Sequence, residues 1–222
     1  MVDISVSLHP ILKTDKENFI KELYDIETSK AEYIHIDIMD GKFVPSETKE
    51  MMELARTTKC ISNIPLDVHI MVKNVYESLD EYLSIEPNIL TFHIEAIESK
   101  TEVEKVITKI KNSGVKVGIA ISPNTKIEEI FPYLKIIHMV LIMTVIPGAS
   151  GQKLISETIE KVRELDLYLK KNNLEVDIEV DGGITTENVG LLKDAGANII
   201  VIGSAFFKSE NRVDTIRILK KI

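Results

Sequence analysis

The sequence contains very little cysteine. Its single cysteine, Cys60, cannot form a disulfide within the chain, which fits a reducing compartment. A nucleophilic role would need an activating neighbour, and the sequence does not identify one. We therefore expect Cys60 to be a small, partly buried residue without a chemical role.

Positive charge is outnumbered by negative charge. The chain has 27 Lys and Arg residues against 35 Asp and Glu residues, which gives a formal net charge of −8. Without a basic stripe, such a chain is not expected to bind nucleic acid. A small anionic substrate remains compatible with this charge, because a few backbone N–H groups can bind a phosphate locally.

Long hydrophobic runs are absent as well. The longest apolar stretch, at 136–145, contains His138 and is too short to span a bilayer. Near the start of the chain, Asp3, Lys13 and Asp15 interrupt any signal-peptide core. We therefore expect a cytoplasmic protein with no membrane partner.

What the sequence does contain is a regular alternation of two kinds of segment. Short apolar, β-branched runs, typical of strands, alternate with charged segments of helical periodicity. The predicted strands are 4–8, 33–39, 66–71, 89–93, 115–121, 139–145, 176–181 and 199–203. The predicted helices are 16–26, 48–57, 75–83, 101–112, 126–134, 156–171, 186–194 and 210–221.

This alternation predicts the fold. Strand runs that are apolar on both faces are typical of parallel sheets covered by helices. Eight βα units without a linker predict a single-domain (β/α)8 barrel over residues 1–222. The alternative, a doubly wound open sheet, would normally use fewer strands and a glycine-rich first turn. The first turn here, Ser7-Leu8-His9-Pro10, contains no glycine.

Polar side chains occur where the second, third and seventh predicted strands end. Because side chains alternate along a strand, His35, Asp37 and Met39 share one face. The third strand contributes His69, and the seventh ends at Asp181. Barrels bind ligands at the C-terminal ends of their strands. Two imidazoles and two carboxylates at that end are candidate ligands for a divalent metal.

Each of these residues alone has a simpler interpretation. A lone histidine in an apolar strand is more often a hydrogen-bonded core residue, and we interpret His93 in that way or as a support for the site. Asp40-Gly41 alone indicates a turn. The coincidence of polar residues at three strand ends favours a functional site.

Glycine-rich segments follow the last three predicted strands. They are Gly148-Ala149-Ser150-Gly151, Gly182-Gly183 and Gly203-Ser204. Glycine permits a close approach of the backbone, and the loops after the last strands of such barrels commonly bind phosphate. Together these segments indicate a phosphate site.

Several of these segments resemble the signatures of the ribulose-5-phosphate 3-epimerase family. They are HIDIMDGKFVP at 35–45, LDVHIMV at 66–72, LIMTVIPGASGQ at 141–152 and EVDGG at 179–183. The resemblance extends in order over essentially the whole chain. It implies a metal-dependent epimerase that inverts C3 of a 2-ketose phosphate, converting D-ribulose 5-phosphate to D-xylulose 5-phosphate.

The resemblance also implies the site residues. One divalent ion (Zn, Fe, Mn or Co) is expected on His35, Asp37, His69 and Asp181, with Asp37 and Asp181 as the acid/base carboxylates. The expected substrate and phosphate contacts are Ser7, His69, Gly148, Ala149, Ser150, Gly151, Gly182, Gly183, Gly203 and Ser204. The expected apolar lining is Met39, Met71 and Met143.

The sequence departs from the family pattern in the substrate loops. The family serine after the first strand corresponds either to Ser7, which we favour, or to Pro10, with loss of the hydroxyl. The loop 148–151 lacks the usual Gly-Phe-Gly-Gly sequence. These departures leave substrate identity open.

Three alternatives therefore stand beside the five-carbon epimerase. A relative could act on a six-carbon ketose phosphate such as allulose 6-phosphate. A decarboxylase or aldol-type synthase would need a lysine at a strand end, and Lys42 lies beyond the turn. A non-catalytic phosphate-binding barrel would have no use for four metal ligands. The expected partner is a small sugar phosphate, and a homo-oligomer is compatible with the sequence.

Overall fold

Eight parallel strands form a closed barrel in the computed structural model, which describes residues 2–149 and 151–221. Each strand pairs with the next in chain order, and the first pairs with the last. The strands are β1 Asp3–Ser7, β2 Tyr33–Met39, β3 Leu66–Met71, β4 Ile89–His93, β5 Lys116–Ile121, β6 Met139–Met143, β7 Asp177–Asp181 and β8 Ile199–Ile202. The predicted single-domain (β/α)8 barrel is confirmed.

Helices surround this barrel on the outside. They are α1 Lys16–Ser29, α2 Met51–Ile61, α3 Val75–Leu83, α4 Lys100–Asn112, α5 Glu157–Asn172, α6 Val189–Ala195, α7 Ser204–Phe207 and α8 Arg212–Lys221. Side-chain caps fix two of the helix starts, because Asp15 accepts a hydrogen bond from the Asn18 amide and Ser99 accepts one from the Glu102 amide.

Two features of the helical layer differ from the prediction. The predicted helix at 126–134 is a 3-10 segment, Ile127–Tyr133, and contains Pro132, which has no N–H for an α-helical hydrogen bond. The short helix α7 was not predicted, because its four residues are too few to show a helical period.

Cys60 also differs from the prediction, because its side chain is exposed. The buried side of α2 is formed by Met51, Met52, Ala55 and Thr58. Cys60 lies two positions beyond Thr58, which in an α-helix places it on the opposite face. The expectation of partial burial was therefore wrong.

The two faces of the barrel strands have different chemistry. The outward positions of β2 are Ile34, Ile36 and Ile38, and all three belong to the main hydrophobic core between strands and helices. The inward positions of the same strand include His35 and Asp37, which are buried. The prediction of strands that are apolar on both faces therefore holds only for part of the sheet, because β1, β2, β3 and β7 carry buried polar side chains on their inward faces.

Apolar side chains close the other end of the barrel interior. Ile89, Met139 and Ile199 form a small buried cluster there, with Tyr33 packed against it. Among the helices of the described residues, none is both long enough and apolar enough to cross a membrane.

The interior is tightly packed between β4 and β5, where Gly118 faces Thr91. A Cβ atom at Gly118 would lie 2.2 Å from Thr91 Oγ1 and 3.1 Å from Thr91 Cγ2. We expect Gly118→Ala to lower the free energy of unfolding in urea by about 1–3 kcal/mol, because overpacking strains a well-filled core.

Thr91→Ala in the same chain should restore part of this loss, since it removes both of these atoms. The Thr91 hydroxyl has no hydrogen-bond partner among the described residues, so its removal costs little by itself. A double variant no more stable than Gly118→Ala alone would contradict this account.

Candidate active site

A cavity of about 660 Å³ opens at the C-terminal end of the barrel. Most of the predicted site residues line it. They are Ser7, Asp37, Met39, Met71, Met143, Gly148, Ala149, Gly151, Asp181, Gly182, Gly183, Gly203 and Ser204. His35 and His69 are completely buried in the barrel wall. The remaining predicted contact, Ser150, lies outside the described residues.

Four of the predicted residues converge at the floor of this cavity. One ligand atom from each of His35, Asp37, His69 and Asp181 can be chosen so that all four lie within 4.8 Å of one another. Strand register produces part of this arrangement, because Asp37 on β2 is directly opposite His69 on β3. We call these four residues the quartet.

A hydrogen bond orients the His35 ring in the quartet. His35 Nδ1 lies 2.6 Å from Asp67 Oδ2, which also accepts a hydrogen bond of 2.9 Å from the Ser5 hydroxyl. His35 Nε2 therefore points toward the quartet, 3.2 Å from Asp37 Oδ1. This contact is not aligned as a hydrogen bond, and Nε2 has no hydrogen-bond partner among the described residues.

This unpaired nitrogen provides a test of whether the quartet fits a metal ion. A buried polar atom without a partner is costly. A divalent cation would satisfy His35 Nε2, and the other three residues supply the nitrogen and oxygen atoms that such ions take as ligands. The residues present therefore fit a divalent metal.

The charges of the quartet interact strongly. Burial alone would lower the pKa of His35, but the carboxylates of Asp67 and Asp37 outweigh it and raise that pKa well above its usual value. Burial would likewise raise the pKa of Asp37, but the charge of His35 outweighs burial and holds that pKa well below its usual value. Asp37 is therefore ionised at neutral pH.

Asp181 behaves differently from Asp37. Burial, followed by the negative charge of Asp37, raises the pKa of Asp181 to about 7. A carboxyl group with this pKa can hold or release a proton near neutral pH. Two neighbouring carboxyl groups with widely separated pKa values form an acid/base pair.

A second cluster of buried groups, formed by His35, Asp67 and Glu179, lies deeper in the barrel. Asp67 and Glu179 were not predicted as site residues. Glu179, on β7, is completely buried, and no donor among the described residues reaches its carboxyl oxygens. Burial and the neighbouring charge of Asp67 raise the pKa of Glu179 well above its usual value. A protonated Glu179 carboxyl group would donate to Asp67, whose Oδ1 has no other partner among the described residues.

Ser7 contacts the quartet from β1. Its hydroxyl donates a hydrogen bond of 2.7 Å to Asp37 Oδ2. Pro10 also lines the cavity, but it belongs to the 3-10 segment His9–Ile11 that follows β1. The Ser7 hydroxyl group therefore lies in the cavity beside Asp37, as expected if Ser7 matches the family serine.

Four of the cavity glycines have backbone conformations that other residues rarely adopt. The φ angles are +107° at Gly148, +77° at Gly151, +121° at Gly182 and +66° at Gly183. A Cβ atom at Gly183 would lie 2.3 Å from the backbone nitrogen of Leu154. The loops after β6 and β7 can therefore approach each other this closely only because Gly183 has no side chain.

Comparisons with known proteins agree with these motifs. A family model described as "Ribulose-phosphate 3 epimerase family" matches residues 4–207. The ribulose-phosphate 3-epimerase of Helicobacter pylori (strain ATCC 700392 / 26695) is 34% identical over 212 residues, which cover 96% of this chain and 95% of that protein. The enzyme of the same name from Treponema pallidum (strain Nichols) is 36% identical over 209 residues, with 94% of each chain covered.

Solved structures of lower sequence identity share the architecture. KGPDC from Streptococcus mutans superposes with a TM-score of 0.70 at 10% identity, covering 100% of this chain and 97% of that one. The tryptophan synthase A-subunit from Pyrococcus furiosus has a TM-score of 0.70 at 15% identity, with 100% and 98% covered. At these identities the likeness shows the barrel fold alone.

Proposed function

Because the chain belongs to the ribulose-phosphate 3 epimerase family, whose named relatives are isomerases, we propose that it inverts C3 of a 2-ketose phosphate. The substrate pair that we propose is D-ribulose 5-phosphate and D-xylulose 5-phosphate. The observation that carries the proposal is the quartet, in which two carboxylates of different proton affinity lie beside two imidazoles at the cavity floor.

Inversion at C3 requires that a proton leave the carbon next to the C2 carbonyl and that another arrive on the opposite face. Ionised Asp37 is suited to accept a proton from C3, and protonated Asp181 is suited to deliver one. In the reverse direction the two groups exchange roles. A positioned acid or base typically contributes about 10²–10⁴-fold to the rate.

The positions of the two carboxylates support this division of labour. Asp37 lies on β2 and Asp181 on β7, so they approach the cavity from strands that are not neighbours in the barrel. The hydrogen bond from Ser7 holds Asp37 Oδ2 in place. A substrate held between the two strands would present opposite faces of C3 to them.

The quartet would hold one divalent ion, and Zn, Fe, Mn and Co all suit two imidazoles and two carboxylates. When bound, this ion would act as a Lewis acid toward the charge that develops on the substrate oxygens, which is worth several kcal/mol. The glycine loops after β6, β7 and β8 would bind the phosphate through backbone N–H groups.

We expect the purified protein to bind about one divalent ion per chain. His69→Ala should lose the ion and the epimerase activity while remaining folded, as judged by metal analysis and circular dichroism. His138→Ala is the matched control, because this exposed histidine precedes β6 at the other end of the barrel. Full metal content in His69→Ala would contradict the assignment of His69.

We expect the phosphate group to be required for efficient turnover. Removing the phosphate from ribulose 5-phosphate should lower kcat/KM by about 100-fold or more, since binding energy far from C3 also positions the substrate. The measurement is the initial rate with the metal-loaded enzyme on ribulose 5-phosphate, unphosphorylated ribulose and allulose 6-phosphate. Similar kcat/KM values with and without phosphate would refute the phosphate site, and a preference for allulose 6-phosphate would reassign the substrate.

The two-carboxylate mechanism predicts a pattern of hydrogen exchange. In heavy water, early product should carry deuterium at C3, whereas recovered substrate should carry little, because one group removes the proton and a different group supplies the new one. Mass spectrometry or proton NMR of both sugars measures this directly. Product that keeps its original C3 hydrogen would exclude the mechanism, and strong labelling of recovered substrate would indicate a single shared base.

Asp37→Asn and Asp181→Asn should each lower the rate of interconversion by about 100-fold or more. Both residues are also proposed metal ligands, so the metal content of each variant must be measured before its loss of rate is assigned to proton transfer. Either variant with its full metal content and the wild-type rate would remove that residue from the mechanism.

A further inference from the structure

A second histidine lies directly behind His69, on the side away from Asp37. His93, the last residue of β4, places its Nε2 atom 2.9 Å from His69 Nε2. Its Nδ1 atom lies 3.0 Å from Glu95 Oε2. Both imidazoles are completely buried, and the ring of Phe43 packs against His93 at a centroid distance of 4.9 Å.

Glu95 is held firmly at the outer end of this chain of contacts. Its other oxygen, Oε1, accepts hydrogen bonds from the Ser122 amide, at 2.7 Å, and from the Thr125 hydroxyl. The Lys161 ammonium fixes the same loop by donating to the backbone carbonyls of residues 122, 123 and 125, at 3.0, 2.7 and 2.6 Å. Glu95 is thus oriented by groups outside the quartet.

Glu95 is a pure acceptor in this arrangement. Burial would raise its pKa, but His93 and the hydrogen bonds from Thr125 and Ser122 outweigh burial and lower the pKa to about 2. An ionised carboxylate accepts hydrogen bonds and donates none. The contact with His93 therefore requires a proton on His93 Nδ1.

The positions of the remaining ring protons follow from that requirement. A neutral imidazole carries one ring proton, so a proton on His93 Nδ1 leaves His93 Nε2 as an acceptor. The 2.9 Å contact between the two rings then requires that the His69 proton be on Nε2. His69 Nδ1, 3.3 Å from Asp37 Oδ1, is left with a free lone pair that faces the quartet.

We propose that Glu95 and His93 are positioning residues that set the tautomer of His69 and direct its Nδ1 lone pair at the metal ion. This Glu95–His93–His69 relay rests on the metal site proposed above and extends it outward by two residues. His35 has a shorter counterpart, because Asp67 contacts its Nδ1 directly at 2.6 Å. Ligand histidines generally require such a partner on their second nitrogen.

The substitution Glu95→Gln tests the relay with almost no change of shape. The amide N–H of Ser122 can only donate, so the glutamine carbonyl must face it and the glutamine NH₂ group must face His93. A donor at that position moves the His93 proton to Nε2 and the His69 proton to Nδ1, the atom that faces the metal. Zinc affinity, measured by chelator competition, should fall by about 10–100-fold.

Two further variants keep this test decisive. His93→Phe preserves the ring shape but removes the acceptor for His69, so zinc affinity should fall in the same direction. Glu32→Gln is the matched control, because Glu32 accepts from the Ile4 amide and from Lys220 at the opposite end of the barrel. Its zinc affinity should stay within about 3-fold of wild type, well below the effect of a support residue.

Nitrogen-15 NMR of the zinc-loaded wild-type protein reads the tautomers directly, without reference to epimerase activity. Protons on His93 Nδ1 and His69 Nε2 are expected. A proton on His93 Nε2, or wild-type zinc affinity in folded Glu95→Gln, would overturn the relay and leave the proposed epimerase intact. Failure of the wild-type protein to bind any divalent ion would overturn the metal site and the relay together.

Discussion

The burial of several carboxyl groups inside the barrel is the constraint on which the rest of this structure depends. Asp37, Asp67 and Glu179 are buried in the barrel interior, and Asp181 lies close to Asp37 at the cavity floor. Carboxyl groups in such a place must be paired, hydrogen-bonded or protonated. Each of these solutions has a counterpart here: His35 contacts two of the groups, serine hydroxyls from β1 donate to two, and burial raises the pKa of Glu179 well above its usual value, which favours its protonated form.

This constraint explains why the outer layer of the barrel is so uniformly apolar. The main hydrophobic core lies between strands and helices, where Ile34, Val68 and Ile200 are fully buried, whereas the interior holds only smaller apolar clusters beside its polar groups. The same constraint makes strand register strict. A shift of one residue in β3 would turn His69 toward the helices and an isoleucine or valine toward the quartet.

The fold and the quartet were predictable because both depend on local patterns. The alternation of strand-like and helix-like runs predicted the barrel, and the two-residue spacing of His35 and Asp37 placed them on one face. The supporting residues were not predictable in the same way. Asp67, Glu179 and Glu95 acquire their roles only from contacts with other strands and loops, and an acidic residue near a strand end is ordinarily solvated. Pro132 was visible in the sequence, but its effect on the segment after β5 was underestimated.

Closure of the barrel determines how long the edge of β1 stays unpaired while the chain is being synthesised. The edge of β1 that does not pair with β2 is covered by β8, which comes last among the strands. Near this seam, Arg212 of α8 pairs with Glu22 and Asp25 of α1. While the chain emerges from the ribosome, β1 therefore has an open edge that no earlier segment can cover. An unpaired strand edge is a template for pairing with other chains, so β1 stays exposed to such pairing until β8 has been synthesised.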